Sequence, residues 1–296
     1  MELISILGSG TMGNGIAHAL AIAGYRVNLI DISQKKLANG MNSIAKNLDR
    51  QVSKSLITEE LKISALNHIQ TFTDTQSGVL NSDLVIEAAT ENLEIKLEIF
   101  KNLDKFCKPE AILASNTSSI SISKIASVTR RADKIIGMHF MNPVPLMKLV
   151  EVIRADSTSD QVTKTIMQLA HSLNKIPVEV NDSPGFVANR ILMPMINEAI
   201  ICLQSGVGSV DSIDTVMKLG MAHPMGPLQL ADFIGLDVCL AIMNVLYDGL
   251  GDSKYAPSPL LVNMVTAGIL GVKSGEGFYV YTPGSKELVV SPRFNS

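Results

Sequence analysis

Leu3-Ile-Ser-Ile-Leu-Gly8-Ser-Gly10-Thr-Met-Gly13-Asn-Gly-Ile-Ala-His-Ala-Leu20, with Val27-Asn-Leu-Ile-Asp31 just beyond it, is the stretch on which the fold turns. A short apolar run, a Gly-x-Gly-x-x-Gly loop, an alanine-rich helical pattern and a second apolar run closing on an acid are the parts of a dinucleotide-binding β-α-β unit. Gly8 permits the tight turn, Gly10 lets the backbone approach a diphosphate, and Gly13 allows the helix to pack close to the strand. The helix amides and dipole then face the anion without any net positive charge. Ser9, Thr11 and Met12 complete the loop. Asp31 is placed to accept hydrogen bonds from the adenosine ribose and to repel a 2′-phosphate, which favours NAD over NADP as the cofactor.

Outward from this unit, apolar runs alternate with helical patterns in the manner of a parallel sheet covered by helices. The runs are Leu3 to Leu7, Val27 to Asp31, Ile69 to Phe72, Leu84 to Glu87, Ala111 to Ala114, Ile135 to Met138 and Leu149 to Ile153. Helices are expected over Thr11 to Gly24, Lys35 to Ser53, Leu93 to Phe106 and Asp160 to Leu173. At Asn181-Asp-Ser-Pro-Gly185 cap residues, a proline and a glycine fall together. This divides the chain into 1–182, an α/β Rossmann-like doubly wound sheet domain, and 183–296, an all-helical domain. The second domain has helical patterns over Phe186 to Gln204, Val210 to Leu219, Leu228 to Phe233, Leu236 to Leu250 and Leu260 to Ala267, with no strand before Gly277 to Tyr281. Its first helix is apolar around most of its circumference (Ile191, Leu192, Met195, Ile196, Ala199, Ile200, Leu203). That pattern suits either a buried central helix or a homodimer face. The tail from Thr282 to Ser296 carries no readable pattern.

Composition bounds the function. Twenty-five Lys plus Arg against 28 Asp plus Glu give a net charge of −3, too weak a field to draw the chain to nucleic acid or an anionic membrane. Leu3 to Tyr25 lacks charge, but it follows Glu2 rather than a basic leader and is broken by glycines, so it is not expected to be a membrane span. Cys107, Cys202 and Cys239 are odd in number and widely spaced, which points to reduced thiols in a cytoplasmic protein. No His or Cys spacing suggests a metal site. His18, His68, His171 and His223 are read as structural.

The chemistry lies between Ser115 and Glu151. His139 ends the run Ile135 to Met138, and Glu151 lies within Leu149 to Ile153, with Pro143 and Pro145 in the connection. If the two strands are antiparallel neighbours, His139 faces Glu151. An imidazole held by a carboxylate is a general base at neutral pH. Beside a nicotinamide it would take the proton of a substrate alcohol as hydride leaves the carbon.

Seven blocks in this order resemble the short-chain L-3-hydroxyacyl-CoA dehydrogenases, a family that includes bacterial 3-hydroxybutyryl-CoA dehydrogenases. They are the Gly8 to Gly13 loop, Glu91-Asn-Leu with Lys96, Ser115-Asn-Thr-Ser-Ser119, the His139 to Glu151 block, Asp182-Ser-Pro-Gly-Phe-Val-Ala-Asn189-Arg190, Pro224-Met-Gly-Pro227 and Lys273-Ser-Gly-Glu-Gly-Phe-Tyr279. The resemblance implies that His139 is the base and Glu151 its partner, that Ser118 and Asn189 bind the substrate's 3-oxygen and thioester region, and that Asp31, Glu91, Lys96, Ser118, Asn142 and Lys273 surround the NAD. It implies an acyl-CoA substrate and a homodimer formed through the helical domain. Asn189 also falls in the first turn of the helix that Pro184 is expected to open, and Ser118 follows a strand at the carboxyl edge where open sheets bind ligands. The chain departs from the family in the helix after Asp31. Asn47 stands where relatives carry a serine, and Lys54 where a lysine meets the nucleotide phosphates of coenzyme A. Lys46, Arg50 and Lys54 lie at helical spacing and offer either a cationic binding face or a merely solvated one. Two rivals to the acyl-CoA reading stay open: an NAD-dependent dehydrogenase of a free hydroxy acid, and a non-catalytic NAD-binding sensor.

Overall fold

The Leu3–Leu7 run forms β1, the third strand across an eight-stranded sheet. The structure is a computed structural model that describes residues 1–285 and 287–294; of the tail, Lys286, Asn295 and Ser296 lie outside the described residues. The chain divides into two compact units, Met1–Ser183 and Pro184–Ser296. The break thus comes one residue after the position read from sequence.

In the first unit, β1, β2 (Arg26–Ile30), β3 (Ile69–Phe72), β4 (Leu84–Glu87) and β5 (Ile112–Ser115) are joined by parallel pairing. Strands covered on both faces are written as unbroken apolar runs, and Ile4, Ile6, Leu29, Leu84, Val85 and Ile86 are wholly or almost wholly buried. The covering helices start where short polar side chains cap them. Ser33 accepts the Lys36 amide at the start of α2 (Gln34–Ser53), Thr58 the Leu61 amide at α3 (Glu59–Asn67), Asp74 the Ser77 amide at α4 (Thr75–Val79), and Asn92 the Ile95 amide at α5 (Leu93–Phe106). α1 (Thr11–Ile22) differs: its cap is Gly10, which has no side chain to offer.

β6 (Ile135–Phe140) pairs parallel to β5, and β7 (Leu149–Arg154) runs antiparallel to β6. The reversal follows from chain length. Only residues 141–148 join the two strands, whereas a parallel crossover needs a dozen residues or more. α6 (Ile122–Ala126) lies between β5 and β6, and α7 (Asp160–Ser172) leads from β7 to β8 (Ile176–Asn181), the parallel edge strand. β8, α3, α4 and α6 are additions to the elements expected from sequence.

The second unit packs α8 (Ala188–Gln204), α9 (Val210–Gly220), α10 (Pro227–Ile234), α11 (Leu236–Leu250) and α12 (Pro259–Thr266) around a core that includes Met193, Ile196, Ile200, Leu228, Leu236 and Met243. α8 begins at Ala188, two residues later than expected. Pro184 does not open it but sits in a preceding turn, where Gly185 (φ +73°) and Phe186 (φ +50°) are both left-handed. A two-stranded ribbon of β9 (Tyr279–Val280) and β10 (Val289–Val290) closes the unit. Two buried carboxylates tie it together. Asp214 accepts the Leu228 and Gln229 amides and the Tyr279 hydroxyl; Asp232 accepts the Phe278 and Tyr279 amides and the Tyr281 hydroxyl. Gly226 and Gly277 let the backbone come this close, since a Cβ would stand 2.2 Å from Asp214 and 1.8 Å from Asp232. Burial, with Asp214 nearby as a lesser cause, pushes the Asp232 carboxyl up to about 6 against those donors.

Candidate active site

Gly8, with φ +104°, turns the chain out of β1 where any side chain would strike the Ala88–Ala89 backbone at 2.6–2.7 Å. A Cβ on Gly13 would stand 1.8 Å from the Gly8 carbonyl oxygen, so only glycine lets α1 start this close to the turn. Around a Cβ on Gly10 there is nothing within 4 Å. Two glycines are demanded by packing, and the third faces open space at an uncapped helix start, which is the form a diphosphate cradle takes. The loop borders a cavity of about 500 Å³ lined by Gly8, Ser9, Asp31, Asn39, Thr90 and Ile95 among others. This is also the switch point of the sheet, where β1 lies between β2 and β4. A larger groove of about 910 Å³ runs beside edge strand β3, past Asn67, His68 and Gln70, and contains neither the glycine loop nor the His-Glu pair.

Asp31 sits at the cavity wall. One oxygen accepts the Ser9 amide and hydroxyl, both at 2.8 Å, and the other the Ile32 amide, with Lys36 at 3.8 Å. The residues present therefore fit an adenine dinucleotide: glycine amides for the diphosphate and a carboxylate for the ribose.

Across the sheet, the ends of β4 and β5 hold a buried charge cluster. Glu87 accepts from the Lys96 ammonium, from Ser115 Oγ at 2.8 Å and from the Ala89 amide at 2.8 Å. Glu87 and Lys96 are sealed from solvent. Lys96 also lies 3.9 Å from Glu91, whose Oε1 accepts Thr117 Oγ1, the Ser118 amide and Ser118 Oγ, each at 2.8 Å. Glu91 thus gathers the Ser115–Ser119 loop around one carboxylate and fixes the Ser118 hydroxyl.

His139 and Glu151 are directly opposite in the β6–β7 register. His139 Nδ1 lies 2.8 Å from Glu151 Oε2, and both side chains are buried. A carboxylate only accepts, so Nδ1 carries the shared proton. Asn116 Oδ1 accepts the Phe140 amide at 3.0 Å and so ties the Ser115–Ser119 loop to the residue after His139. Asn142 follows on the connection and is exposed.

The two halves of the chain match separate models of one family. Residues 3–183 match the one described as 3-hydroxyacyl-CoA dehydrogenase, NAD binding domain, and 185–281 the one described as 3-hydroxyacyl-CoA dehydrogenase, C-terminal domain. The chain belongs to the 3-hydroxyacyl-CoA dehydrogenase family. Its relatives include a probable 3-hydroxybutyryl-CoA dehydrogenase of Bacillus subtilis, 54% identical over 95% of this chain and 98% of the relative. A 3-hydroxybutyryl-CoA dehydrogenase of Bradyrhizobium diazoefficiens is 53% identical over 95% of this chain and 96% of its own length. Among solved structures, an (S)-3-hydroxybutyryl-CoA dehydrogenase of Ralstonia eutropha superposes with a TM-score of 0.92 at 51% identity, covering 95% of this chain and 99% of that one.

The remaining residues that the family resemblance singles out are placed as follows. Asn47 is half-buried on α2, while Lys46, Arg50 and Lys54 are exposed at four-residue intervals, Lys54 at the helix's C-cap. In the second unit, Asn189 is the second residue of α8 and is buried, and Lys273 pairs with Asp237. The His-Glu pair, the glycine loop with Asp31, and the cluster of Glu91, Lys96 and Ser118 are each brought together within the first unit. Sequence reasoning missed Glu87, Asn116 and Asp182. Asp182 accepts the Ser121 hydroxyl and the Ile122 and Ser123 amides, and so caps α6. Glu87 had a signal: a charge closing the apolar run Leu84-Val-Ile at the carboxyl edge of a strand. Asn116 and Asp182 had none apart from their neighbours in the motifs.

Proposed function

We propose that this chain is an NAD-dependent dehydrogenase that oxidises an L-3-hydroxyacyl-CoA, such as 3-hydroxybutyryl-CoA, to the 3-oxoacyl-CoA and catalyses the reverse reduction. The observation that carries this reading is the His139–Glu151 hydrogen bond, on strands of the same sheet that bears the glycine cradle. Bound NAD supplies the hydride acceptor. His139 Nε2 takes the proton of the 3-hydroxyl, and Glu151 holds the tautomer and stabilises the imidazolium that results. Ser118, oriented by Glu91, and Asn189 bind the substrate's oxygens. Gly8 to Gly13 and Asp31 hold the diphosphate and adenosine ribose, with Glu91, Lys96, Asn142 and Lys273 toward the rest of the dinucleotide. Asn47 and the Lys46, Arg50 and Lys54 row meet coenzyme A.

The helical unit is read as the dimer surface, which the exposed apolar side chains Ile191, Val216, Leu219, Met221 and Phe233 support. Among the described residues no single helix is long and apolar enough to cross a membrane. The three cysteines are unpaired, which supports a reducing cytoplasm.

The test is NADH oxidation with acetoacetyl-CoA, with free acetoacetate and with NADPH in parallel. Turnover with the thioester and NADH, well above both alternatives, is expected. Preference for the free acid would transfer the reading to a hydroxy-acid dehydrogenase, and NADH binding with no turnover of either would leave a sensor.

A further inference from the structure

The connection 141–148 carries Asn142 and joins the strand of His139 to the strand of Glu151, yet it contains no regular helix or strand to hold its place. Buried carbonyls in such a segment must find donors. Here the donor is an ammonium. Lys175, the residue before β8, is almost fully buried and donates from Nζ to the Val144 carbonyl at 2.5 Å and to the Met147 carbonyl at 2.7 Å. It stands where β8 joins the sheet, since the next residue's amide, Ile176 N, donates to the Lys148 carbonyl at 2.8 Å.

From the other side Val144 rests on α1. A Cβ on Gly15 would lie 2.9 Å from Val144 Cβ, so the helix that begins at the dinucleotide cradle is also the seat of this connection. One turn along, His18 is buried, with Nε2 near Gln51 Oε1 and no hydrogen-bond partner for Nδ1 among the described residues. Burial first, and the charge of Lys175 as a lesser cause, push the His18 imidazole below its usual range, against the bond from Gln51. A buried ammonium costs several kcal/mol in lost hydration unless oxygen partners replace the water. Lys175 finds those partners on the one segment that must stay fixed for the His-Glu pair.

We propose that Lys175 is a positioning residue for the dehydrogenase reaction: its ammonium clamps the connection 141–148 against α1 and thereby sets where Asn142 stands and how His139 meets Glu151. The proposal rests on the dehydrogenase reading above. Lys175→Met keeps the apolar stem and removes the charge. It lowers kcat with acetoacetyl-CoA by between about ten- and a hundredfold, the cost of a small misplacement at the reacting groups, and weakens NADH binding less, since of the residues assigned to the cofactor only Asn142 lies on the connection. Hydrogen exchange of amides 141–148 accelerates at least about tenfold, without change in β1 or β4. In Lys175→Ala, propylammonium but not 1-propanol restores part of the lost kcat.

Wild-type kcat and exchange in Lys175→Met overturn the proposal. So does a kcat loss accompanied by equal loosening of β1 and β4, or a Lys175→Ala defect that propylammonium leaves unchanged. Should Lys175→Met not fold, Gly15→Ala pushes Val144 from the other side with Lys175 intact. It must lower kcat, and a wild-type rate there is equally fatal. Failure of the wild-type protein to turn over acetoacetyl-CoA refutes the dehydrogenase reading alone, because the exchange measurement decides the clamp without turnover.

Discussion

His139 and Glu151 are twelve positions apart and become a pair only because β6 and β7 are antiparallel with that register. Each half of the pair has its own consequence. His139→Gln removes the proton acceptor and is expected to lower kcat by about 10²- to 10⁴-fold. NADH binding, measured by fluorescence, should change little, since the glycine cradle and Asp31 lie on other strands. Glu151→Gln keeps the shape but replaces an acceptor-only carboxylate with an amide that stabilises no imidazolium. It should lower kcat less than His139→Gln, because the imidazole still accepts the proton but loses the charge that stabilises its protonated form. A full rate in His139→Gln would remove the base from the scheme. Equal losses from both changes would make the pair structural. The Glu87–Lys96 pair is the contrasting case: two charges sealed from solvent that hold Ser115 between them, with Lys96 beside Glu91.

Strands and helices differ in how far they could be read in advance. Runs buried on both faces, such as Leu84-Val-Ile, were legible because parallel strands demand continuous apolar sequence. β8 was not. Ile176 and Val178 are exposed and Pro177 is the second residue, a pattern tolerated only at an edge. α4 and α6 have five residues each and rest on their caps, Asp74 and Ser121, rather than on any periodicity. The His139–Glu151 pair was legible as a histidine ending one apolar run and a glutamate inside the next, with two prolines between them, whereas Asn116, Glu87 and Lys175 act through contacts that only the assembled sheet creates. The glycine loop allows a test at this scale, because its glycines are needed for different reasons. Gly13→Ala sets a methyl 1.8 Å from the Gly8 carbonyl and must shift α1. It is expected to lower the melting temperature as well as NADH affinity. Gly10→Ala meets nothing within 4 Å. It should melt like the wild type while binding NADH more weakly, its methyl occupying the space above the cradle. Identical behaviour of the two variants, in melting and in NADH affinity, would show that the loop is an ordinary turn.

For the molecule as a whole, the charge balance of −3 explains why binding must come from local geometry rather than from a general field. The same absence of strong net repulsion leaves apolar surface available for association. Unpartnered apolar side chains are scattered on any protein, and singly they mean little. In the second unit they are large and numerous for its size: Leu219 is 82% exposed, Ile191 67%, and Val216 and Met221 59% each. Val216 and Leu219 are three residues apart and therefore share one face of α9. α8, by contrast, gives Met193, Ile196 and Ile200 to the core and leaves Ile191 outside, so the central-helix and dimer-face readings of its sequence are compatible. Light scattering during gel filtration should therefore give about 64 kDa, twice the chain mass of 31.8 kDa. Val216→Asp with Leu219→Asp should shift that mass toward the monomer and make it concentration-dependent, because burying an unpaired carboxylate at an interface costs several kcal/mol. NADH binding, which depends on the first unit, should persist in the variant. A wild-type mass of one chain at micromolar concentration would remove the helical unit from the role of dimer surface. An unchanged dimer in the double variant would move the interface off this face of α9.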